Sequence, residues 1–165
     1  MAKEIERKFL LSHLPRIKAD EMWYVEQAYI STEPEVRIRN KKPMTSYFPK
    51  SYYSKYLMTI KSNDSLTRNE IETPIYENFY NEAIDFIGKE PIKKEYFVYY
   101  IDNLKLEISI VDKETDYSFI YAEVEFHSEE EAKAFKFPFP EILIEEITYQ
   151  SDYKMKNYWL NSRWG

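Results

Sequence analysis

The chain has 165 residues, enough for one domain with a real core, and its 44% hydrophobic and 18% aromatic content argues against disorder. Only two glycines are present and no G-x-x-x-x-G-K or G-x-G-x-x-G run occurs, so a P-loop or dinucleotide site is unsupported; the lack of cysteine excludes disulfides, thiolate metal sites and a cysteine nucleophile. A net charge of −6, from 29 acidic and 23 basic residues, argues against nucleic acid as a partner, although cations gathered in one place can still hold an anion.

The opening MAKEIERKFLL is charged from its third residue and has no signal-type apolar stretch. No apolar run approaches membrane-spanning length, so a cytoplasmic protein without a membrane partner is expected. Alternation over Glu4 to Leu10 predicts the first strand, Gln27 to Ser31 a short second and Glu35 to Arg39 a third. Asn40 to Lys55 carries two prolines and reads as a hairpin loop. Its Lys41, Lys42, Lys50 and Lys55 are expected in solvent, a lid over a site being the other reading.

Strands follow at Tyr56 to Lys61 and Arg68 to Thr73. Glu77 to Ile87 predicts a helix with Phe79, Ala83, Phe86 and Ile87 on its apolar face, Gly88 as C-cap and Pro91 as a stop. Lys94 to Tyr100, Leu104 to Val111 and Tyr121 to Phe126 are further strands. Ser128 with Glu131 forms a capping box that opens a helix ending before Pro138. A third helix is predicted over Asp152 to Leu160, capped by Ser151. His13 and His127 read as turn or surface residues, and the 16 tyrosines as outer-face packing or a dimer surface. No linker or repeat divides the chain, so residues 1–165 are expected to form a single domain.

Residues i and i+2 share a face of a strand. Glu4, Glu6 and Lys8 therefore oppose Ile5 and Phe9, with Arg7 the exception on the apolar side. Glu35, Arg37 and Arg39 oppose Val36 and Ile38; Thr59 and Lys61 oppose Met58 and Ile60; Arg68, Glu70 and Glu72 oppose Ile71. Lys105 and Glu107 oppose Leu106 and Ile108, and Glu123 and Glu125 oppose Val124 and Phe126. On alternation alone, an antiparallel sheet with one solvated face is the simpler reading. Two details favour another. Glu4/Glu6, Glu123/Glu125 and Arg37/Arg39 set like charges about 7 Å apart on one face, which makes sense if each pair surrounds an opposite charge. The carboxylate pairs suit a hard divalent cation such as Mg²⁺ or Mn²⁺, and the arginine pair suits a phosphate. A closed barrel of about eight strands turns such a face inward while helices cover parts of the other.

These segments resemble the CYTH superfamily, the triphosphate tunnel metalloenzymes. The E-x-E-x-K of EIERKFL is followed in order by QAYI at Gln27, EVRIR at Glu35, LMTIK at Leu57, RNEIE at Arg68 and AEVEF at Ala122. The series covers nearly the whole chain and is most similar to the short bacterial single-domain members. The resemblance implies an α+β fold: a closed antiparallel eight-stranded β-barrel with a few flanking helices. It implies a metal-dependent hydrolase of triphosphates, with inorganic triphosphate or a nucleoside triphosphate as ligand and Mg²⁺ or Mn²⁺ as cofactor.

By position, Glu4, Glu6, Glu123 and Glu125 would ligate the metal, and Lys8, Arg37, Arg39, Lys61 and Lys94 would contact phosphates. Arg68, Glu70 and Glu72 would orient substrate, and Lys8 with Glu6 would serve catalysis. The family's K-x-R reads Lys94-Glu95-Tyr96 here, its E-x-D reads Glu107-Ile108-Ser109, and Gln150 and Asp152 stand where an aspartate and an arginine are expected. Lys154 or Lys156 is the candidate to restore the lost charge. Two alternatives stay open: a class IV adenylate cyclase, and a polyphosphate- or nucleotide-binding protein with impaired turnover. The resemblance also admits a homodimer.

Overall fold

The computed structural model describes residues 2–44, 54–62 and 67–165. Among them, β1 (Ala2–Leu11), β2 (Glu21–Thr32), β3 (Glu35–Pro43), β4 (Lys55–Lys61), β5 (Thr67–Pro74), β6 (Ile92–Ile101), β7 (Leu104–Val111), β8 (Phe119–Glu125) and β9 (Leu143–Glu146) form one sheet. Its order is β5-β4-β3-β2-β6-β7-β8-β1-β9, every pairing is antiparallel, and an added β1–β5 pairing closes eight strands into a barrel. Closure depends on β1 dividing one of its edges. Its residues Ala2–Ile5 pair with β5, and Phe9–Leu11 pair with β9. The other edge pairs Glu6–Leu11 with β8.

The outward face is apolar and covered. Phe9, Phe97, Tyr99, Leu106, Ile108 and Val124 are buried beneath α2 (Glu129–Ala134) and the aromatic stretch that follows it. Ser128 caps α2 by accepting a hydrogen bond from the Glu131 backbone N–H at 3.1 Å, as the S-x-x-E spacing requires. α1 (Glu77–Ile87) lies over β2 and β3, where its Tyr80 joins Ala28 and Ile38. It ends at Gly88, whose φ of 70° is a left-handed value that a side chain would disfavour. No helix among the described residues is long and apolar enough to cross a membrane.

One end of the barrel is filled. Tyr29, Ile92, Val111 and Tyr121 meet Ile147, Met155, Tyr158 and Trp159, the last three from α3 (Met155–Trp159). A π-helical turn over Leu160–Trp164 then brings Arg163 back to the barrel. Its guanidinium grips Asp112 through both carboxylate oxygens at 2.6 and 3.1 Å and donates to the carbonyls of Glu90 and Pro91 at 3.0 and 2.8 Å. The Tyr158 hydroxyl donates to the same carboxylate.

Several expectations change. β2 runs over twelve residues rather than a short segment. Trp23 and Val25 on one face and Met22 and Tyr24 on the other blur its period-two signal. β9 has only four residues, too few to show alternation. Asn40–Pro43 is not loop but the end of β3, paired with Glu26–Trp23. The apolar face of α1 is Tyr80, Ala83, Ile84 and Ile87, whereas Phe79 and Phe86 face outward, Phe86 at 93% exposure. Tyrosine was undervalued as a core residue there. The third helix is split: a 3₁₀ turn over Ser151–Tyr153 precedes α3, and its N-cap is Lys154, without a side-chain cap, rather than Ser151. Arg7 sits outside, where it bonds Glu146 at 2.6 and 2.8 Å and the α2-end carbonyls of Ala132 and Phe135, so its place on the apolar face is compensated.

Candidate active site

The inward faces enclose a cavity of about 370 Å³ lined mainly by charged residues. Every residue expected at the site lines it: Glu4, Glu6 and Lys8 from β1, Arg37 and Arg39 from β3, Lys61 from β4, Arg68, Glu70 and Glu72 from β5, Lys94 from β6, Glu123 and Glu125 from β8, and Lys154 from the C-terminal segment. Gln150 is also in the lining, while Asp152 and Lys156 are not.

The charges are sorted into two walls. On one, carboxylate oxygens of Glu4, Glu6 and Glu125 lie within 4.8 Å of one another, close enough to share one cation. The register explains this: Glu6 is directly opposite Glu125, and Glu4 is two residues along the same face. Arg68 fixes the group, at 2.6 Å from Glu6 and 3.4 Å from Glu4, with Lys61 at 3.2 Å from Glu4. One oxygen each of Glu4 and Glu6 is buried without a hydrogen-bond partner among the described residues.

Burial opposes ionisation of Glu4, but Lys61 and Arg68 outweigh it and hold the carboxyl below its usual range. Glu6 is pushed well above that range by burial and by Glu123 and Glu4. Glu125 is pushed up to about 7 by burial and by Glu107 and Glu4. The upward shifts of Glu6 and Glu125 mark carboxylates buried and crowded together.

Glu123 stands beside this trio and touches it through Glu6. Burial works against its charge, yet Lys8, a hydrogen bond from Glu6, and Lys94 together bring it below the ordinary carboxylate range. Lys8 donates to the Tyr153 carbonyl at 2.6 Å and lies 4.1 Å from the centre of the Tyr121 ring. Burial pushes Lys8 down, against the pull of Glu123 and Glu6.

The opposing wall is cationic. Arg37 donates to Thr59 at 3.4 Å and Arg39 to Gln27 at 3.3 Å. The Nε of each is buried without an acceptor among the described residues. Lys94 donates to the Tyr121 hydroxyl, and burial with Arg39 nearby pushes it well below the usual lysine range. None of the three forms an ion pair among the described residues.

Sequence reading missed several lining residues. Tyr29, Tyr96 and Tyr121 face the cavity, so these tyrosines do not serve the outer surface. Lys41 and Lys55 also line it, against the expectation of a solvated loop, whereas Lys42 is exposed and Lys50 lies outside the described residues. The signal was available: continuing the parity of Arg37 and Arg39 by two residues gives Lys41.

Neither a family model nor a curated protein sequence matches the chain. Among solved structures, it is similar to the inorganic triphosphatase NE1496, with 26% identity, a TM-score of 0.65, and coverage of 97% of this chain and 96% of that one. A second structure, of the hypothetical protein NE1496, gives 26% identity and a TM-score of 0.61, covering 95% and 97%. A matching fold along nearly the full length, together with strand motifs in the order that the superfamily carries them, is consistent with the CYTH superfamily.

Proposed function

We propose that the chain is a divalent-metal-dependent hydrolase that cleaves inorganic triphosphate and releases orthophosphate. One observation carries this reading: a trio of crowded carboxylates shares the cavity with Arg37, Arg39 and Lys94, which form no ion pair among the described residues. A polyanion with its metal ion complements both walls at once. The likeness to a structure described as an inorganic triphosphatase supports the same reading.

The donor set fits the cation. Glu4, Glu6 and Glu125 offer only oxygen, as Mg²⁺ and Mn²⁺ prefer, and one buried Glu6 oxygen has no hydrogen-bond partner among the described residues. Bound there, the cation would supply Lewis-acid neutralisation of phosphoryl oxygens. Arg37 and Arg39 grip the phosphate chain from the opposite wall through their free guanidinium edges. Phosphoryl transfer needs chiefly positioning and charge stabilisation, which this arrangement provides. Lys8, aimed by the Tyr153 carbonyl and Glu123, is assigned to the attacking water. As that water bonds to the terminal phosphorus, the bond to the bridging oxygen breaks, leaving orthophosphate and diphosphate.

The test is phosphate release from triphosphate with Mg²⁺ or Mn²⁺ for the wild type, Glu6→Gln and Lys8→Ala. Each variant should lose about 100-fold or more; equal release by all three rejects the site. Tyr96 and Ser109, where the family carries charge, motivate a second reading of binding without turnover. Tight triphosphate binding with no release across several metals would favour it. Cyclic AMP formed from ATP would instead indicate the cyclase.

A further inference from the structure

The unpaired cations do not stop at Arg39. Lys41 is the next inward residue of β3, directly opposite Lys55 of β4, and both line the cavity at the end away from α3. Lys41 lies over two rings, 4.4 Å from the centre of Trp23 and 4.9 Å from that of Tyr96, and Lys55 is 5.9 Å from Trp23. Neither lysine forms an ion pair among the described residues. The acids nearby are engaged. Glu21 accepts from the Trp23 indole at 3.0 Å and the Tyr100 hydroxyl at 2.5 Å, and Glu107 pairs with Lys105 at 3.1 Å. Burial, Lys105 and Arg39 push Lys41 down to about 8, a cost that a bound anion would relieve.

We infer that Lys41 and Lys55 form a separate anion subsite at the mouth, which takes a phosphate beyond the third of an inorganic chain. The inference rests on the triphosphate reading of the inner tunnel. From Arg37 to Lys41 the strand advances about 13 Å, a longer span than three linked phosphate tetrahedra occupy. Arg37 and Arg39 hold the inner phosphates, and the two lysines hold the outer end. A nucleoside is the poorer occupant. Trp23 is only 1% exposed and the face of Tyr96 is taken by Lys41, so neither ring offers a base a stacking surface.

The test is calorimetric binding of inorganic triphosphate, tetraphosphate and ATP, with Ca²⁺ present to slow turnover. The proteins are the wild type, Lys41→Met/Lys55→Met, and Lys42→Met as an exposed control on the same strand. The wild type and the control should bind tetraphosphate about tenfold more tightly than triphosphate, the value of one charge-assisted contact. The double variant should bring that ratio close to one. Equal affinity for both chains in the wild type, or a ratio unchanged in the double variant, overturns the subsite and leaves the inner site standing. ATP binding more tightly than tetraphosphate overturns the inorganic occupant. Failure of the wild type to bind any of the three overturns the triphosphate reading itself, and the subsite with it.

Discussion

Arg163 holds Asp112 through both carboxylate oxygens, at 2.6 and 3.1 Å, and so ties the last turn of the chain to the β7–β8 turn. Both side chains are largely shielded from solvent, with exposures of 10% and 5%. Removing one partner leaves the other charge uncompensated, so Asp112→Asn should cost about 3 kcal/mol in urea unfolding. Burial opposes the charge on Asp112, but the bonds from Arg163, Tyr158 and the Lys93 backbone hold its carboxyl below the usual 3.8. The stabilisation is therefore present above pH 3.8 and is lost as pH falls through the lower folded value. The stability gap between wild type and Asp112→Asn should narrow as unfolding is repeated at lower pH in that range.

Glu4, Glu6 and Glu125 should behave as one cation site. Glu4→Gln or Glu125→Gln should weaken Mn²⁺ binding at least about tenfold, as followed by electron paramagnetic resonance of free Mn²⁺. Chelation by EDTA should abolish phosphate release, and added Mg²⁺ or Mn²⁺ should restore it. Undiminished Mn²⁺ affinity in both variants would remove the trio as the metal centre.

Arg39 should trade stability for binding. It is half-buried beside Arg37 and forms no ion pair among the described residues, and desolvation and Arg37 both push its pKa down. Arg39→Met should raise the unfolding free energy by about 1 kcal/mol, since a hydrophobic group replaces a half-buried charge that has no ion-pair partner among the described residues. The same change should weaken triphosphate binding about tenfold or more. A loss of stability would show that Arg39 holds the barrel together rather than awaiting a ligand.

Residues of α1 separate by face. Phe86→Ala should alter stability by no more than about 0.5 kcal/mol, because Phe86 is exposed, whereas Tyr80→Ala should cost about 3 kcal/mol or more. Tyr80→Phe should be neutral or stabilising, since the buried hydroxyl has no hydrogen-bond partner among the described residues. Thermal denaturation of the three variants checks the order.

The barrel was legible because its charges recur at strict two-residue spacing on β1, β3, β5 and β8, and a buried charged face leaves the same alternation as a solvated one with a different pairing of signs. The site residues followed from that parity. What stayed hidden depends on contacts far apart in sequence. Whether Glu123 joins Glu125 or turns to Lys8 is decided by the cross-strand register, which opposes Glu123 to Lys8 and Glu6 to Glu125. Asp112 and Arg163 carry no local pattern, and their union exists only once α3 covers the end of the barrel. Lys41 was obscured by the prolines and tyrosines after it, which drew the loop boundary too early.

The divided edge of β1 imposes an order on biosynthesis. β1 is made before its partners β5, β8 and β9, so its backbone groups stay unsatisfied until each of them follows. Glu6 meets Glu125 only at that closing event. A nascent chain stalled before β8 therefore already carries Glu4, Glu6, Arg37, Arg39 and Lys94 but has neither Glu125 nor an enclosed chamber.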